Sequence, residues 1–195
     1  MQVPLFRWII VRDTGELTEV AAKSIAAAYG SAVAQPRSVR SPSDPRLSGL
    51  DALGQADRAE AIASIAHRGQ TDKIGERYIS HSARVAGTFD ALDRPIEHVA
   101  GWLHAVIEHA QVSAQDLLDA GIRPEIVEIV ALLTWTTDAS EDEFLERIRY
   151  NDIARAVKAA DLADNTSSWR TRLLDYETRR RLAEKNARAR KYIGD

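Results

Sequence analysis

The sequence has no cysteine, a single methionine and few aromatic residues (6%). Without thiols there is neither a disulfide nor a thiolate metal site, so any bound metal must be held by nitrogen and oxygen. The lack of cysteine fits a reducing compartment, and a cytoplasmic protein is expected. Long apolar runs are also missing. The run at residues 6–11 is broken by Arg7, and it falls far short of a secretory core or the ~20 residues of a membrane span. Charge of one sign is not in excess: the net charge is −3, so no global basic field draws nucleic acid. The basic stretch Arg179, Arg180, Arg181, Lys185, Arg188, Arg190 and Lys191 reads as a solvated helix face.

What is present is an ordinary globular composition, 45% hydrophobic and 28% charged over 195 residues, enough for one domain with a core and a small appendage. Residues 1–48 stand apart. A β-prone run at 6–11 and the turn Asp13-Thr14-Gly15 predict a short β element, Leu17 to Tyr29 has helical composition ending at Gly30, and a loop at 31–48 holding Pro36 and Pro45 follows. This appendage and linker is too small to fold alone and is expected to pack on the main body, residues 49–195, or on a partner.

The main body reads as successive helices at 56–67, 79–90, 95–108, 113–120, 125–136, 140–150, 152–164 and 178–192. Pro95 and Pro124 suit a first helical turn, Gly121 is a stop, and Ser140 with Glu143 has capping-box spacing. No strand-rich stretch, internal repeat or heptad run interrupts this pattern, which predicts an all-α irregular bundle.

Two of these helices carry polar groups on apolar faces. His104 and Glu108 are four apart, as are Asp161 and Asn165, and residues at that spacing share a helix face. Buried polar groups need partners, a metal or a ligand, and one shared site would satisfy both pairs. Taken singly, each has a simpler reading: a core histidine satisfied by its neighbours, or an Asp–Asn cap.

A third segment changes the balance: Ala66-His67-Arg68-Gly69-Gln70, then Lys73, Gly75 and Tyr78-Ile79-Ser80-His81. With Trp102-Leu103-His104-Ala105-Val106-Ile107-Glu108, Lys158-Ala159-Ala160-Asp161-Leu162-Ala163-Asp164-Asn165 and the closing residues 178–185, it resembles the HD-type metal-dependent phosphohydrolases. Within that superfamily it is most similar to the RelA/SpoT-like branch with its small alarmone hydrolases, over residues 55–193. The resemblance implies an HD-type helical bundle and one divalent ion, commonly Mn2+, held by two histidines and two aspartates. His67, His104 and Asp161 match three ligands, and Ala105 stands where the fourth, an aspartate, belongs. Glu108 and His109 occupy the positions that handle water and protons, the second usually an aspartate. Arg68, Gln70, Lys73, Tyr78 and Asn165 match substrate-contacting positions, and His81 is expected to brace the loop from behind.

The implied activity is hydrolysis of a nucleotide or a (p)ppGpp-like alarmone, a phosphorylated small molecule rather than a membrane or nucleic acid. A methyl group at 105 cannot coordinate metal, so the site is expected to be impaired, whether degenerate by nature or silenced by substitution. The alternative is a non-catalytic nucleotide-binding module or a partner-binding pseudoenzyme.

Overall fold

The computed structural model describes residues 49–110, 112–137 and 139–194. The expected β element and the whole of residues 1–48 lie outside the described residues. Within them the chain is all-α. A single isolated bridge, Thr71 to Arg77, is the only β-type pairing among the described residues.

Helix α1 (Gly49–Ala66) leads through a loop to α2 (Tyr78–Ala86), and then to α3 (Pro95–Leu103), α4 (Val106–Ala110) and α5 (Ala114–Asp119). The second half comprises α6 (Pro124–Leu133), α7 (Glu141–Arg149), α8 (Asp152–Asn165), the single turn α9 (Ser168–Thr171) and α10 (Tyr176–Ile193). Pro95 and Pro124 each occupy the first turn of their helix. There the missing N–H costs nothing and the fixed φ is already helical. Ser140 and Glu143 form the expected capping box, and Ser113 with Asp116 forms another. Helix α2 stops at Ala86, short of the expected residue 90, with the Gly87 N–H closing its last turn on the Ala83 carbonyl, and Asp90 then turns the chain by accepting the N–H groups of Leu92 and Asp93 through its side chain.

Helix α3 is the central element, packed against α1, α2, α6 and α8. Its Val99 and Leu103 share one buried core with Ile62, Leu117, Ile122, Ile126, Leu145, Ile148 and Ile193. Its contact with α2 is unusually close. A Cβ on Gly101 would lie 2.7 Å from the Cα of Ala86 and 2.9 Å from its N, so only glycine lets the two backbones meet there.

One departure from the sequence pattern positions the site. The apolar run 95–108 is not one helix but two, α3 and α4, parted at His104 and Ala105. The Nδ1 of His104 lies 2.8 Å from the carbonyl oxygen of Gly101, so the imidazole takes an acceptor that a continuing helix would use. His104 and Glu108 are therefore no longer one turn apart on a single helix: His104 is buried, and Glu108 stands at the exposed rim.

Candidate metal centre

The chain funnels its polar groups into a cavity of about 1170 Å³. Its lining includes the 69–74 loop and Tyr78, the group His81, His104, Ala105, Asp161 and Asn165 that forms its floor, and Lys185 and Asn186 of α10.

At the floor, His81, His104 and Asp161 bring one ligand atom each within 4.8 Å of the others. His81 comes from α2, His104 from the end of α3 and Asp161 from the buried face of α8, shared with Ala154, Val157 and Ala160. The His81 and His104 Nε2 atoms are 3.2 Å apart. His81 Nε2 lies 3.2 Å and His104 Nε2 4.0 Å from Asp161 Oδ1.

The other ring nitrogens reveal what this convergence demands. His81 Nδ1 lies 2.7 Å from Asp164 Oδ2, and His104 Nδ1 faces the Gly101 carbonyl. A carboxylate and a carbonyl can only accept, so each Nδ1 carries the hydrogen. In the neutral rings both Nε2 atoms then hold lone pairs, directed at each other and at a carboxylate. Such a juxtaposition of lone pairs needs a cation between them. In the absence of a metal that role falls to a proton on His81. Burial opposes its charge, but hydrogen bonds to Asp161 and Asp164 outweigh this and raise its pKa. Burial lowers His104 to about 4, so this ring stays neutral beside its partner.

Two imidazole nitrogens and a carboxylate oxygen form a borderline donor set suited to Mn2+, Fe2+ or Zn2+, so these residues fit a divalent ion. The surrounding groups also fit. The carboxylate–histidine pair Asp164–His81 fixes ring and tautomer as such second-layer partners do. Asp164 is held by Arg84 Nε at 2.5 Å. Despite burial, which works the other way, the hydrogen bonds from His81 and Arg84 lower its pKa to about 2. Asp161 Oδ2 accepts from Lys158 Nζ at 2.7 Å and Oδ1 from Asn165 Nδ2 at 2.6 Å. Burial alone would raise the Asp161 pKa, but Lys158 and the histidines hold it well below the ordinary carboxylate range.

The sequence reading put His67 among the ligands and His81 behind the loop; the structure places His81 in the group and His67 outside it. The cause is local. His67 follows the end of α1, and its Nδ1 is taken by Gln70 Oε1 at 2.8 Å. Its ring is covered by Tyr78, with centroids 4.6 Å apart. Gln70 in turn donates to the His109 carbonyl at 3.0 Å, which fixes the orientation of its amide. Burial lowers the His67 pKa to about 4, and its Nε2 is buried without a hydrogen-bond partner. Tyr78 also packs edge-on to His81 with centroids 5.6 Å apart.

Of the other expected residues, Gln70, Lys73, Tyr78, Asn165, Glu108 and His109 all line the cavity. Asn165 reaches it as the partner of Asp161. Arg68 is exposed and does not line it. Ala105 is 3% exposed beside His104 and forms part of the floor. Sequence reasoning passed over Asp164, Arg84, Lys158, Asp72 and Arg170, all of which hold the site in shape. The signal for Asp164 was present: it lies three residues after Asp161 on the same helix, and Lys158 lies three before.

No family model matches the chain. Over 114 residues it is 30% identical to a GTP pyrophosphokinase of Streptomyces coelicolor. That segment is 58% of this chain and 12% of the other protein, so the chain spans only about an eighth of the curated relative it matches.

Proposed function

We propose that this chain is a metal-dependent phosphohydrolase of the HD type acting on a phosphorylated nucleotide, with its cation held by His81, His104 and Asp161. The observation that carries this reading is the meeting of two Nε2 lone pairs and a carboxylate at the floor of a large cavity, with both Nδ1 atoms already committed. A divalent ion there would lower the pKa of water and offset charge on a phosphoryl oxygen.

The chain's own residues supply the rest. Glu108 lines the cavity and one of its oxygens accepts the N–H of Trp135 at 3.2 Å. That bond exists because α6 ends at Leu133 and Thr134 turns to extended backbone. Held in this way, Glu108 is the carboxylate that accepts a proton from the attacking water. Lys158 and Asn165 keep Asp161 aimed. Across the cavity stand Lys73 of the loop and Lys185 of α10, neither with an anionic partner among the described residues. Burial lowers the Lys73 pKa, and the charges of Arg181 and Lys185 lower it further. Unpaired cations held close together suit a polyphosphate. The name of the Streptomyces relative, GTP pyrophosphokinase, supports a guanine nucleotide and a pyrophosphate group as participants. Hydrolysis, rather than the transfer in that name, is inferred from the residues of this chain.

The test is turnover. The full chain and its Ala105→Asp variant, loaded with Mn2+, are assayed against guanine nucleotides bearing 3′ or 5′ pyrophosphate. Release of phosphate or pyrophosphate by the variant at least supports the reading, and its absence on every substrate removes it. Ala105 favours a second reading, a nucleotide-binding module without catalysis, which predicts guanine-nucleotide binding by calorimetry with no turnover in either protein.

A further inference from the structure

The cavity has two working walls, the 69–76 loop and the cation-binding floor, and a single buried side chain joins them from behind. Arg170, in the short helix α9, is 7% exposed. Its Nη2 donates to Asp72 Oδ2 at 2.7 Å and its Nη1 lies 3.4 Å from Asp164 Oδ2. Each of these carboxylates has a second attachment. Asp72 Oδ1 accepts the N–H groups of Ile74 and Glu76, both at 3.0 Å. Those bonds, with the Thr71–Arg77 bridge, close the loop that presents Gln70 and Lys73 to the cavity. Asp164 Oδ2 accepts from His81 Nδ1. A chain of polar contacts therefore runs from the loop backbone through Asp72, Arg170 and Asp164 to the imidazole of His81, hydrogen-bonded throughout except between Arg170 Nη1 and Asp164, which are joined by charge alone.

We propose that Arg170 is a positioning residue that ties the pocket loop to the ligand His81, so that the two walls hold their geometry as one unit. A buried charged strut is a costly way to fill space, since apolar side chains of the same volume often stabilise a fold more. Its use here is registry. Arg170 is the only described residue ion-paired to both Asp72 and Asp164; Arg84 holds Asp164 alone. Planar and permanently charged, a guanidinium can hold two carboxylates at a fixed separation where a lysine would hold one. Order at the loop, where phosphate would rest, thereby supports order at the cation ligand, and the reverse follows by linkage.

The test uses the full chain with Arg170→Gln, Arg170→Lys and Asp72→Asn. Three quantities are read: amide exchange at Ile74 and Glu76, the His81 Nδ1–H resonance, and Mn2+ affinity by calorimetry. Arg170→Gln should speed exchange at both amides, shift the His81 resonance and weaken Mn2+ binding by ~10-fold, the scale of a lost ligand-orienting contact. Arg170→Lys should recover part of this. The decisive variant is Asp72→Asn, which touches neither His81 nor the cation group: it should move the His81 resonance and weaken Mn2+ binding in the same direction. A His81 resonance and Mn2+ affinity unchanged in Asp72→Asn would overturn the proposal, whatever Arg170→Gln does and even if that variant fails to fold. The metal arm rests on the proposed function. Should the wild type take up no Mn2+, that reading falls, and the strut is still decided by the exchange and the resonance of the metal-free proteins.

Discussion

Replacing Gly101 by alanine places a methyl group where α2 and α3 touch. The new Cβ would sit 2.7 Å from Ala86 Cα, 2.9 Å from Ala86 N and 3.3 Å from Val85 C. Unbonded carbon atoms prefer ~3.5–4.0 Å, and every crowded neighbour is backbone, so no side chain can rotate away. The helices must part by roughly 1 Å. Overpacking of this kind costs ~1–3 kcal/mol, or a Tm lower by about 3–10 °C in a domain of this size. The damage is aimed at the site. His81 lies five residues before Ala86 and His104 three after Gly101, so the parting opens the 3.2 Å approach of their Nε2 atoms. Calorimetric titration with Mn2+ should show affinity reduced by ~10-fold or more, on the scale of disturbed ligand geometry. Gly54 is the control: a Cβ there meets nothing within 4 Å, and Gly54→Ala in α1 should raise stability by ~0.5–1 kcal/mol and leave Mn2+ binding alone. A Gly101→Ala protein with wild-type Tm and wild-type affinity would refute the claim that this contact sets the ligand pair.

Other outcomes follow from the same geometry. Ala105→Asp should raise Mn2+ affinity by ~10-fold or more by adding an anionic ligand beside His104, measured by titration, while lowering the stability of the metal-free protein through a further buried carboxylate. Asp164→Asn should weaken Mn2+ binding by ~10–100-fold, because His81 exchanges an anionic acceptor for a neutral amide oxygen and the charge that holds Arg84 is lost. The metal-free protein should lose stability as pH falls from about 6.5 to about 4, read as Tm. His67 and His104, both lowered to about 4 by burial, refuse protons that the unfolded chain accepts in that window. His81, raised above its ordinary value, acts at higher pH, and Asp164, lowered to about 2, acts at lower pH. A flat Tm across that window would contradict the assignment of two buried neutral rings.

Much of the architecture was legible because helices announce their ends. Proline at a first turn marked the starts of α3 and α6, and serine caps and a glycine stop marked both ends of α5 and the start of α7 closely. The break between α3 and α4 was not legible. Residues 99–109 are apolar apart from His104, Glu108 and His109 and hold no proline or cap that would mark a break, and the tertiary placement of His104 against Gly101 interrupts them. The site was partly legible for the same reason. His104 and Asp161 stood out as polar groups on apolar faces, and the structure brings both to one point. Whether His67 or His81 faces that point depends on how the 69–77 loop folds back. That path is set by Asp72 and Arg170, 98 residues apart in sequence, so no local pattern encodes it.

The most direct measurement is Mn2+ titration of the wild type beside His81→Ala and His67→Ala. Binding of a single ion by the wild type, its loss in His81→Ala and its retention within a few-fold in His67→Ala are predicted. Binding that survives removal of His81 and vanishes with His67 would contradict the account.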